Sequence, residues 1–297
     1  MLVARRAQKE AVLREQQALG GIEAYQQASM YGARSSHFVC ARWVEPLLRQ
    51  HMDVATTPDG VASVDETQGG ARGAVATATG RRARLLDVGA IDNQYLPYDW
   101  VDAVPIDLRA QHASVVEADF FDYAAALIAK NDGAAAAPDR LFDAVVLSLV
   151  LNFQGDPRKR GDMLALASDG RLLRPGGLVF VALPAAALDR SRYCDEGTLV
   201  RTCGVLGLDV VARQRSAKLA LLALRRRRRR EEDATAGADA GDAPPYPYRV
   251  ASGSFVYPVE MSRPPAKPGK DRNNFAIMLK STTRQSSPQT KDGPSGT

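Results

Sequence analysis

Arg84-Leu-Leu-Asp-Val-Gly-Ala-Ile-Asp-Asn93 is the stretch that decides the fold of this 297-residue chain. An apolar run that stops at a glycine is typical of a buried strand that turns into a loop. A second apolar run, Val104-Pro-Ile-Asp-Leu108, reaches an acidic residue further along the chain. A carboxylate at a strand end about twenty residues beyond the glycine loop can accept from both hydroxyls of a ribose. The two runs therefore predict a site for a cofactor that carries a nucleoside.

Apolar runs typical of strands recur after residue 84, and helix-like stretches lie between several of them. The strand-like runs are 84–88, 103–106, 143–149, 178–183, 219–224 and 274–279. The helix-like stretches are 120–130, 159–173 and 195–207. Strands that alternate with helices favour a parallel, doubly wound sheet. We therefore predict an α/β domain with a Rossmann-like sheet over residues 82–280.

Other segments flank or interrupt this predicted domain. Residues 1–53, with a helix predicted at 36–50, have apolar side chains at helical spacing and are interpreted as N-terminal helices. Residues 54–81 are rich in Gly, Ala, Thr and Asp without a period, which is typical of a flexible loop. We expect a disordered insertion at 225–270 and a disordered tail at 281–297, because their composition cannot build a core.

Six consecutive arginines, Arg225 to Arg230, begin the insertion. Three interpretations stay open for them. They form a solvated loop at a strand end, serve as a nuclear or nucleolar address, or contact RNA phosphates directly.

The composition narrows the class of protein. The formal net charge is +5 and the sequence pI is about 9.2, a mild basic excess that favours a polyanionic partner only weakly. The three cysteines are widely spaced without a CxxC motif, which predicts a reducing compartment and no disulfide framework. The three histidines are isolated, so we expect no metal site. No apolar run approaches the roughly 20 residues of a membrane span, so we expect a soluble, intracellular protein.

The glycine loop indicates which nucleoside cofactor fits. A dinucleotide site needs several glycines so that a pyrophosphate can approach the backbone, but this loop has only Gly89, and Asp92 would repel a diphosphate. S-adenosylmethionine carries adenosine without a phosphate and therefore suits the loop. We expect Asp87 to face its ammonium group and Asp107 to bind its ribose hydroxyls.

The acidic-aromatic pair Asp119-Phe120 and the end of the fourth strand complete the predicted cofactor site. Asp119 would accept from the exocyclic amine of adenine, and Phe120 would pack on the ring. The structural alternative is that Asp119 caps a helix and Phe120 belongs to the core. Ser148 ends the fourth strand, where ligands of such sheets bind, so we also expect it to contact the cofactor.

Several motifs over most of residues 20–280 give the chain a resemblance to the fungal 25S ribosomal RNA adenine-N1 methyltransferases. They are Ile22-Glu-Ala-Tyr-Gln-Gln-Ala-Ser29, Leu147-Ser-Leu-Val-Leu-Asn-Phe153, Arg160-Gly-Asp-Met-Leu164, Leu173-Arg-Pro-Gly-Gly177, Leu183-Pro184, Ser191-Arg-Tyr193 and Arg272-Asn-Asn-Phe-Ala-Ile277.

This resemblance implies a class I methyltransferase with a seven-stranded methyltransferase sheet and an N-terminal helical extension. It implies a nucleolar enzyme in the nucleus that binds S-adenosylmethionine through Gly89 and Asp107. The reaction would be methylation of N1 of one adenine in large-subunit ribosomal RNA. Animal relatives of the family are S-adenosylmethionine sensors, so the alternative is a non-catalytic sensor that acts through a protein partner.

Methylation of adenine N1 requires positioning rather than acid–base chemistry, because neutral adenine already carries a lone pair on N1. We expect Asn152 to hydrogen-bond the adenine edge, with Phe153 and Tyr193 as stacking partners for the base. The alternatives are that Asn152 caps the following loop and that Phe153 packs in the core.

Arg158, Lys159 and Arg160 come directly after this loop. We expect them to meet RNA phosphates. For Arg160 an ion pair with Asp162 or Asp156 is the equally weighted alternative.

Overall fold

The chain divides after Thr79 into two compact units. The computed structural model describes residues 40–54, 81–131, 140–228, 249–251, 254–257, 259–270 and 272–281. The interpretations of the first 39 residues, of most of the 54–81 loop and of the tail therefore lie outside the described residues.

One helix of the first unit is described. Helix α1 (Cys40–Val54) begins four residues later than the helix predicted at 36–50 and ends four residues later. Its buried side chains Ala41, Val44 and Leu48 are spaced by three and four residues and therefore lie on one face.

The second unit is built on a seven-stranded sheet, as the sequence predicted. Its strands are β1 (Ala83–Val88), β2 (Val101–Asp107), β3 (Val116–Glu117), β4 (Phe142–Ser148), β5 (Leu173–Pro184), β6 (Leu208–Arg215) and β7 (Leu219–Arg226). Their spatial order is β3-β2-β1-β4-β5-β7-β6. Neighbouring strands from β3 to β5 are parallel, whereas β7 runs antiparallel to both β5 and β6. A separate ribbon pairs β8 (Arg249–Ala251) with β9 (Ser254–Val256).

Helices connect the parallel strands. They are α2 (Phe120–Asn131), α3 (Pro157–Ala167), α4 (Ala185–Asp189) and α5 (Glu196–Val205). Asp156 caps α3 by accepting from the Arg158 amide at 2.8 Å, and Pro157 suits the first helical position, where no amide hydrogen is needed. The helix predicted at 159–173 is too long. It ends at Ala167 because Asp169 turns the chain into β5, accepting from the Arg171 amide at 2.8 Å.

The predicted strands differ from the observed ones in three places. The run 274–279 is not a strand of the sheet; it is an extended segment with an isolated bridge between Met261 and Leu279. Two strands were overlooked in the sequence: β3, which has only two residues, and β6, in which buried, half-buried and exposed residues are mixed because it lies at the sheet edge. The central strand β4 is buried along nearly its whole length, which explains why its apolar run was easy to recognise.

The insertion predicted at 225–270 is narrower than expected. Arg226 is buried at the end of β7, where its guanidinium donates to the Leu173 carbonyl at 3.1 Å. Arg227 donates to the carboxylate of Asp209 at 2.7–3.0 Å. The first arginines of the run therefore bind the protein itself, which corrects the expectation that the whole run is a solvated loop, an address or an RNA contact.

We use "C-terminal segment" for the described residues between 254 and 281. It contributes five aromatic or aliphatic side chains to the core that the sheet and helices build: Phe255, Tyr257, Phe275, Ile277 and Leu279. The segment is thus an integral layer of the second unit. The sequence pattern marked the apolar run 274–279 but gave no sign that Phe255 and Tyr257, which lie in the predicted insertion, join the same core.

Candidate functional site

The order of the strands creates a crevice at one point of the sheet edge. The chain leaves β1 toward β2 on one side and later enters β4 on the other side, so the order reverses between β1 and β4. Ligands of open α/β sheets bind beside the carboxyl ends of strands at such a point. Gly89 follows β1, Asp107 ends β2 and Ser148 ends β4. The topology therefore brings these three predicted residues to one edge of the sheet.

Gly89 adopts a backbone conformation that favours glycine, with φ of 78°. Its amide donates to the Ile106 carbonyl at 2.8 Å, which ties the loop after β1 to β2. A Cβ added at this position would collide with Cγ1 of Val150 in the loop after β4. The two loops therefore meet at Gly89 with no room for a side chain.

Asp87 lies in β1, two residues before this glycine, and carries a buried carboxylate. Only 5% of the residue is exposed. Burial, together with the smaller effect of the neighbouring charge of Asp92, raises the pKa of Asp87 to about 7. A cation placed beside Asp87 would offset both effects. The charge arrangement therefore fits an ammonium group, and the position of Asp92 agrees with a ligand that lacks phosphates.

Asp107 is half-buried at the end of β2. Its Oδ1 accepts from the Arg109 amide at 2.8 Å. Burial raises the pKa of Asp107, the hydrogen bond from Arg109 opposes that rise, and the charge of Glu117 adds to it. A carboxylate has about four acceptor positions, so acceptor capacity remains for the two hydroxyls of a ribose.

Asp119 and Phe120 take up the structural roles stated as the alternative. Oδ1 of Asp119 accepts from the Phe121 amide at 2.7 Å and so caps α2. Phe120 is buried and belongs to the main core. Contact of either residue with adenine stays a prediction. The Asp119 carboxylate would have to accept from adenine at a position that the Phe121 amide does not use.

The loop after β4 begins with an unusual backbone conformation. Leu149 has φ of 58°, a left-handed conformation that costs free energy in a residue with a branched side chain. Its amide donates to the Ala182 carbonyl at 2.9 Å, and the Phe153 amide donates to the Val150 carbonyl at 3.1 Å. The loop is thus a tight turn held against β5 and β1. No sequence pattern predicted the conformation of Leu149 or the contact of Val150 with Gly89.

Asn152 and Phe153 lie in this turn, and neither is engaged as its structural alternative requires. Among the residues that the structure describes, the buried Oδ1 of Asn152 has no hydrogen-bond partner. Phe153 is 57% exposed, so core packing does not account for it. A buried acceptor without a donor is costly in a folded protein, and a donor on a ligand would satisfy it.

Arg160 lies in neither of the two predicted environments. It is buried, and its guanidinium donates to three main-chain carbonyls, those of Leu151, Gln154 and Ala276. The expectation that it meets phosphates or pairs with Asp156 or Asp162 is therefore wrong. Asp156 caps α3, and Oδ1 of Asp162 accepts from the Tyr257 hydroxyl at 2.8 Å.

Arg158 and Lys159, the other two members of the basic triplet, are exposed at the start of α3. The Lys159 ammonium lies 5.8 Å from the ring centre of Phe121. Contact of these two side chains with phosphates stays a prediction.

Tyr193 follows β5 in a turn built around Ser191. The Ser191 hydroxyl oxygen accepts from the amides of Tyr193 and Cys194 at 2.9 and 3.0 Å. The Arg263 guanidinium lies 4.7 Å from the ring centre of Tyr193, so this cation covers one face of the ring. A base would have only the other face to stack on.

Within the described ranges, no cluster of three or more His, Cys, Asp or Glu side chains is arranged to hold a metal ion. No described helix combines the length and the apolar character needed to cross a bilayer.

Solved structures with a related fold include methyltransferases from bacteria. The N-methyltransferase NodS from Bradyrhizobium japonicum, in complex with S-adenosyl-L-homocysteine, is 15% identical with a TM-score of 0.33, and the match covers 51% of this chain and 81% of that one. The 16S rRNA (adenine(1408)-N(1))-methyltransferase from Catenulisporales acidiphilia is 13% identical with a TM-score of 0.32, over 51% of this chain and 88% of that one. Because these TM-scores are low, the family of the chain is assigned from sequence comparison.

A curated relative is the 25S rRNA (adenine(2142)-N(1))-methyltransferase of Saccharomyces cerevisiae, which is 35% identical over 118 residues. The matched part is 40% of this chain and 32% of the relative, so the chain spans about a third of the relative's length. The sequence model of the family Bmt2, described as 25S rRNA (adenine(2142)-N(1))-methyltransferase, matches residues 10–277. Because that match covers most of the chain, including β1 to β7 and the crevice, the chain belongs to the Bmt2 family of rRNA methyltransferases.

Proposed function

We propose that this protein transfers a methyl group from S-adenosylmethionine to N1 of an adenine in large-subunit ribosomal RNA. One observation carries the proposal beyond family membership. Asn152, whose buried Oδ1 has no partner among the described residues, and Phe153, which is exposed, are consecutive in the loop after β4, and Val150 of this loop meets Gly89. A hydrogen-bond acceptor beside an aromatic ring is the pair of groups that an adenine base needs.

The crevice fits S-adenosylmethionine by its charges. Asp87 would face the ammonium group, Asp107 the ribose hydroxyls, and Gly89 would let the backbone approach the ligand. When bound, S-adenosylmethionine supplies an electrophilic methyl carbon on a sulfonium centre. Asp87 and Asp92 would repel a cofactor with a diphosphate, because both side chains are acidic.

Asn152 and Phe153 would hold the base. The exocyclic amine of adenine stands next to N1, and its N–H can donate to Oδ1 of Asn152. Phe153 can stack on the ring and fix its plane. Neutral N1 already has a lone pair, so correct alignment and the exclusion of water are the main requirements for transfer. N1 is on the pairing edge, so a paired target adenine must leave its helix.

The test is methylation of large-subunit RNA from cells that lack the enzyme. A methyl group on N1 blocks pairing, so primer extension should stop at one adenine after incubation with the protein and S-adenosylmethionine. The Asn152→Ala variant should lower the transfer rate by about 10-fold or more while S-adenosylmethionine affinity stays unchanged. Tight binding of S-adenosylmethionine without transfer to any large-subunit RNA would overturn the proposal and favour a sensor.

We also propose that the protein acts in the nucleolus of the nucleus. A large-subunit RNA substrate supports this location, and so does the arginine run, whose last members Arg229 and Arg230 lie outside the described residues.

A further inference from the structure

Arg160 is a buried cation that binds main-chain oxygens. Only 7% of the residue is exposed. Its Nε donates to the Leu151 carbonyl at 3.0 Å and to the Gln154 carbonyl at 2.7 Å, and Nη1 donates to the Ala276 carbonyl at 2.8 Å. Burial is the largest effect on the guanidinium and lowers the pKa of Arg160. Such a costly arrangement is more than packing requires, because an apolar side chain of similar size would fill the space at a lower cost.

The two loop carbonyls bracket the residues that we assign to the base. Leu151 precedes Asn152, and Gln154 follows Phe153. One planar guanidinium therefore holds both ends of this two-residue stretch. The loop needs such support, because it starts at the left-handed Leu149.

The third carbonyl links the loop to the C-terminal segment. Ala276 belongs to the C-terminal segment, in which the ring of Phe275 lies 4.5 Å from the Arg160 guanidinium. The Phe275 carbonyl accepts from the hydroxyl of Ser191, which in turn accepts from the Tyr193 amide at 2.9 Å. The segment thus connects the loop after β4 with the turn that carries Tyr193.

We propose that Arg160 is a positioning residue for methyl transfer, which fixes the Leu151–Gln154 loop so that Asn152 and Phe153 meet the base in one geometry. The proposal rests on the proposed function. Arg160 itself touches neither base nor cofactor. Its effect is therefore on the transfer step, where a displacement of about 1 Å can lower a rate by about 100-fold.

The test variant is Arg160→Lys, which keeps the charge but cannot bridge three carbonyls with one planar group. We expect kcat to fall by about 10- to 100-fold, with the KM for RNA and the Kd for S-adenosylmethionine within about twofold of wild type. The matched control is Asp162→Asn. Asp162 lies two residues away and holds the same C-terminal segment through Tyr257, but it contacts no carbonyl of the loop. This control should keep kcat within about twofold of wild type.

A double-mutant cycle separates positioning from a general loss of structure. If Arg160 acts through the loop, Arg160→Lys should cost less than about twofold in kcat when Asn152→Ala is already present. A wild-type kcat in Arg160→Lys, or a loss that adds in full to that of Asn152→Ala, would overturn the assignment. Should Arg160→Lys fail to fold, Phe275→Leu removes the ring that lies 4.5 Å from the guanidinium and so loosens the hold of that group on the three carbonyls. A kcat loss with unchanged KM would then support the proposal, and an unchanged kcat would refute it. An inactive wild-type protein would instead refute the proposed function.

Discussion

The buried carboxylate of Asp87 lowers the stability of the ligand-free protein, and a bound cation would offset that loss. Its pKa of about 7 lies well above the ordinary value near 4, because burial and the charge of Asp92 both disfavour the carboxylate. At neutral pH the ligand-free protein therefore bears the cost of a partly ionised buried acid. Binding of an ammonium group offsets that cost, so the same residue that weakens the free protein strengthens the complex.

We expect Asp87→Asn to stabilise the ligand-free protein at pH 8 and to weaken binding of S-adenosylmethionine. The folded-state pKa is raised, so the wild type loses stability as the pH rises from about 4 to about 7, by up to ~1.4 kcal/mol per pH unit. The variant lacks this titration. Urea unfolding at pH 4.5 and pH 8 should give curves that diverge by more than about 1 kcal/mol at the higher pH. Parallel pH profiles for the two proteins would contradict the prediction.

Asp107 is expected to carry most of the affinity for the ribose. In Asp107→Ala, calorimetry should detect a loss of S-adenosylmethionine affinity of about 100-fold or more, because two hydrogen bonds to a charged acceptor disappear. Asp122→Ala is a suitable control, since Asp122 is an exposed acid in the first turn of α2. Equal affinities of wild type and Asp107→Ala would remove Asp107 from the site.

At the scale of elements, helix α3 is the docking face for the C-terminal segment. Three consecutive residues serve it in different ways. Arg160 donates to the Ala276 carbonyl, Gly161 leaves room for the Met278 carbonyl, and Asp162 accepts from the Tyr257 hydroxyl. Arg160, which the sequence suggested as a phosphate contact, therefore joins α3 to the C-terminal segment together with its two neighbours.

Gly161→Ala should destabilise the protein by about 1–3 kcal/mol, because a Cβ would collide with the Met278 carbonyl and push the segment away. Gly204→Ala offers a control of opposite sign. Gly204 lies in α5 with nothing near the position of an added Cβ, and alanine favours a helix by about 0.5–1 kcal/mol. Thermal unfolding of both variants tests the pair, and similar Tm values for the two would contradict it.

At the scale of the whole molecule, two members of the arginine run, Arg226 and Arg227, have a structural role. Arg226 and Arg227 bind the Leu173 carbonyl and the Asp209 carboxylate. These contacts fasten the end of β7 to β5 and β6. We therefore expect the address proposed for the run to rest on its other members and not on Arg226 and Arg227.

We expect replacement of residues 229–248 by a Gly-Ser linker of equal length to change Tm by less than about 2 °C, because their composition cannot support a core. The same replacement should reduce the nucleolar enrichment of a fluorescent fusion. Arg226→Ala should do the reverse, lowering Tm through a lost buried hydrogen bond while keeping the location. Unfolding of the linker variant, or unchanged nucleolar enrichment, would contradict this division of the run.

The sequence by itself determined five of the seven strands and the two residues that begin the predicted cofactor site. The strand that leads to Gly89 and the acid at Asp107 were predictable because they are local: one apolar run, one glycine directly after it and one carboxylate at a strand end. The Asn152-Phe153 pair was likewise marked by its place after the central strand β4.

Only the tertiary structure decided which residues support that site. Arg160 and Ala276 are 116 positions apart, and no local pattern reveals that a guanidinium will find a distant carbonyl. The run at 274–279 looks like a sheet strand locally, but it lies against α3 because β7 already occupies the place beside β5. Local periodicity records which side chains are apolar, whereas the choice of partner depends on the free energy of the whole packed molecule.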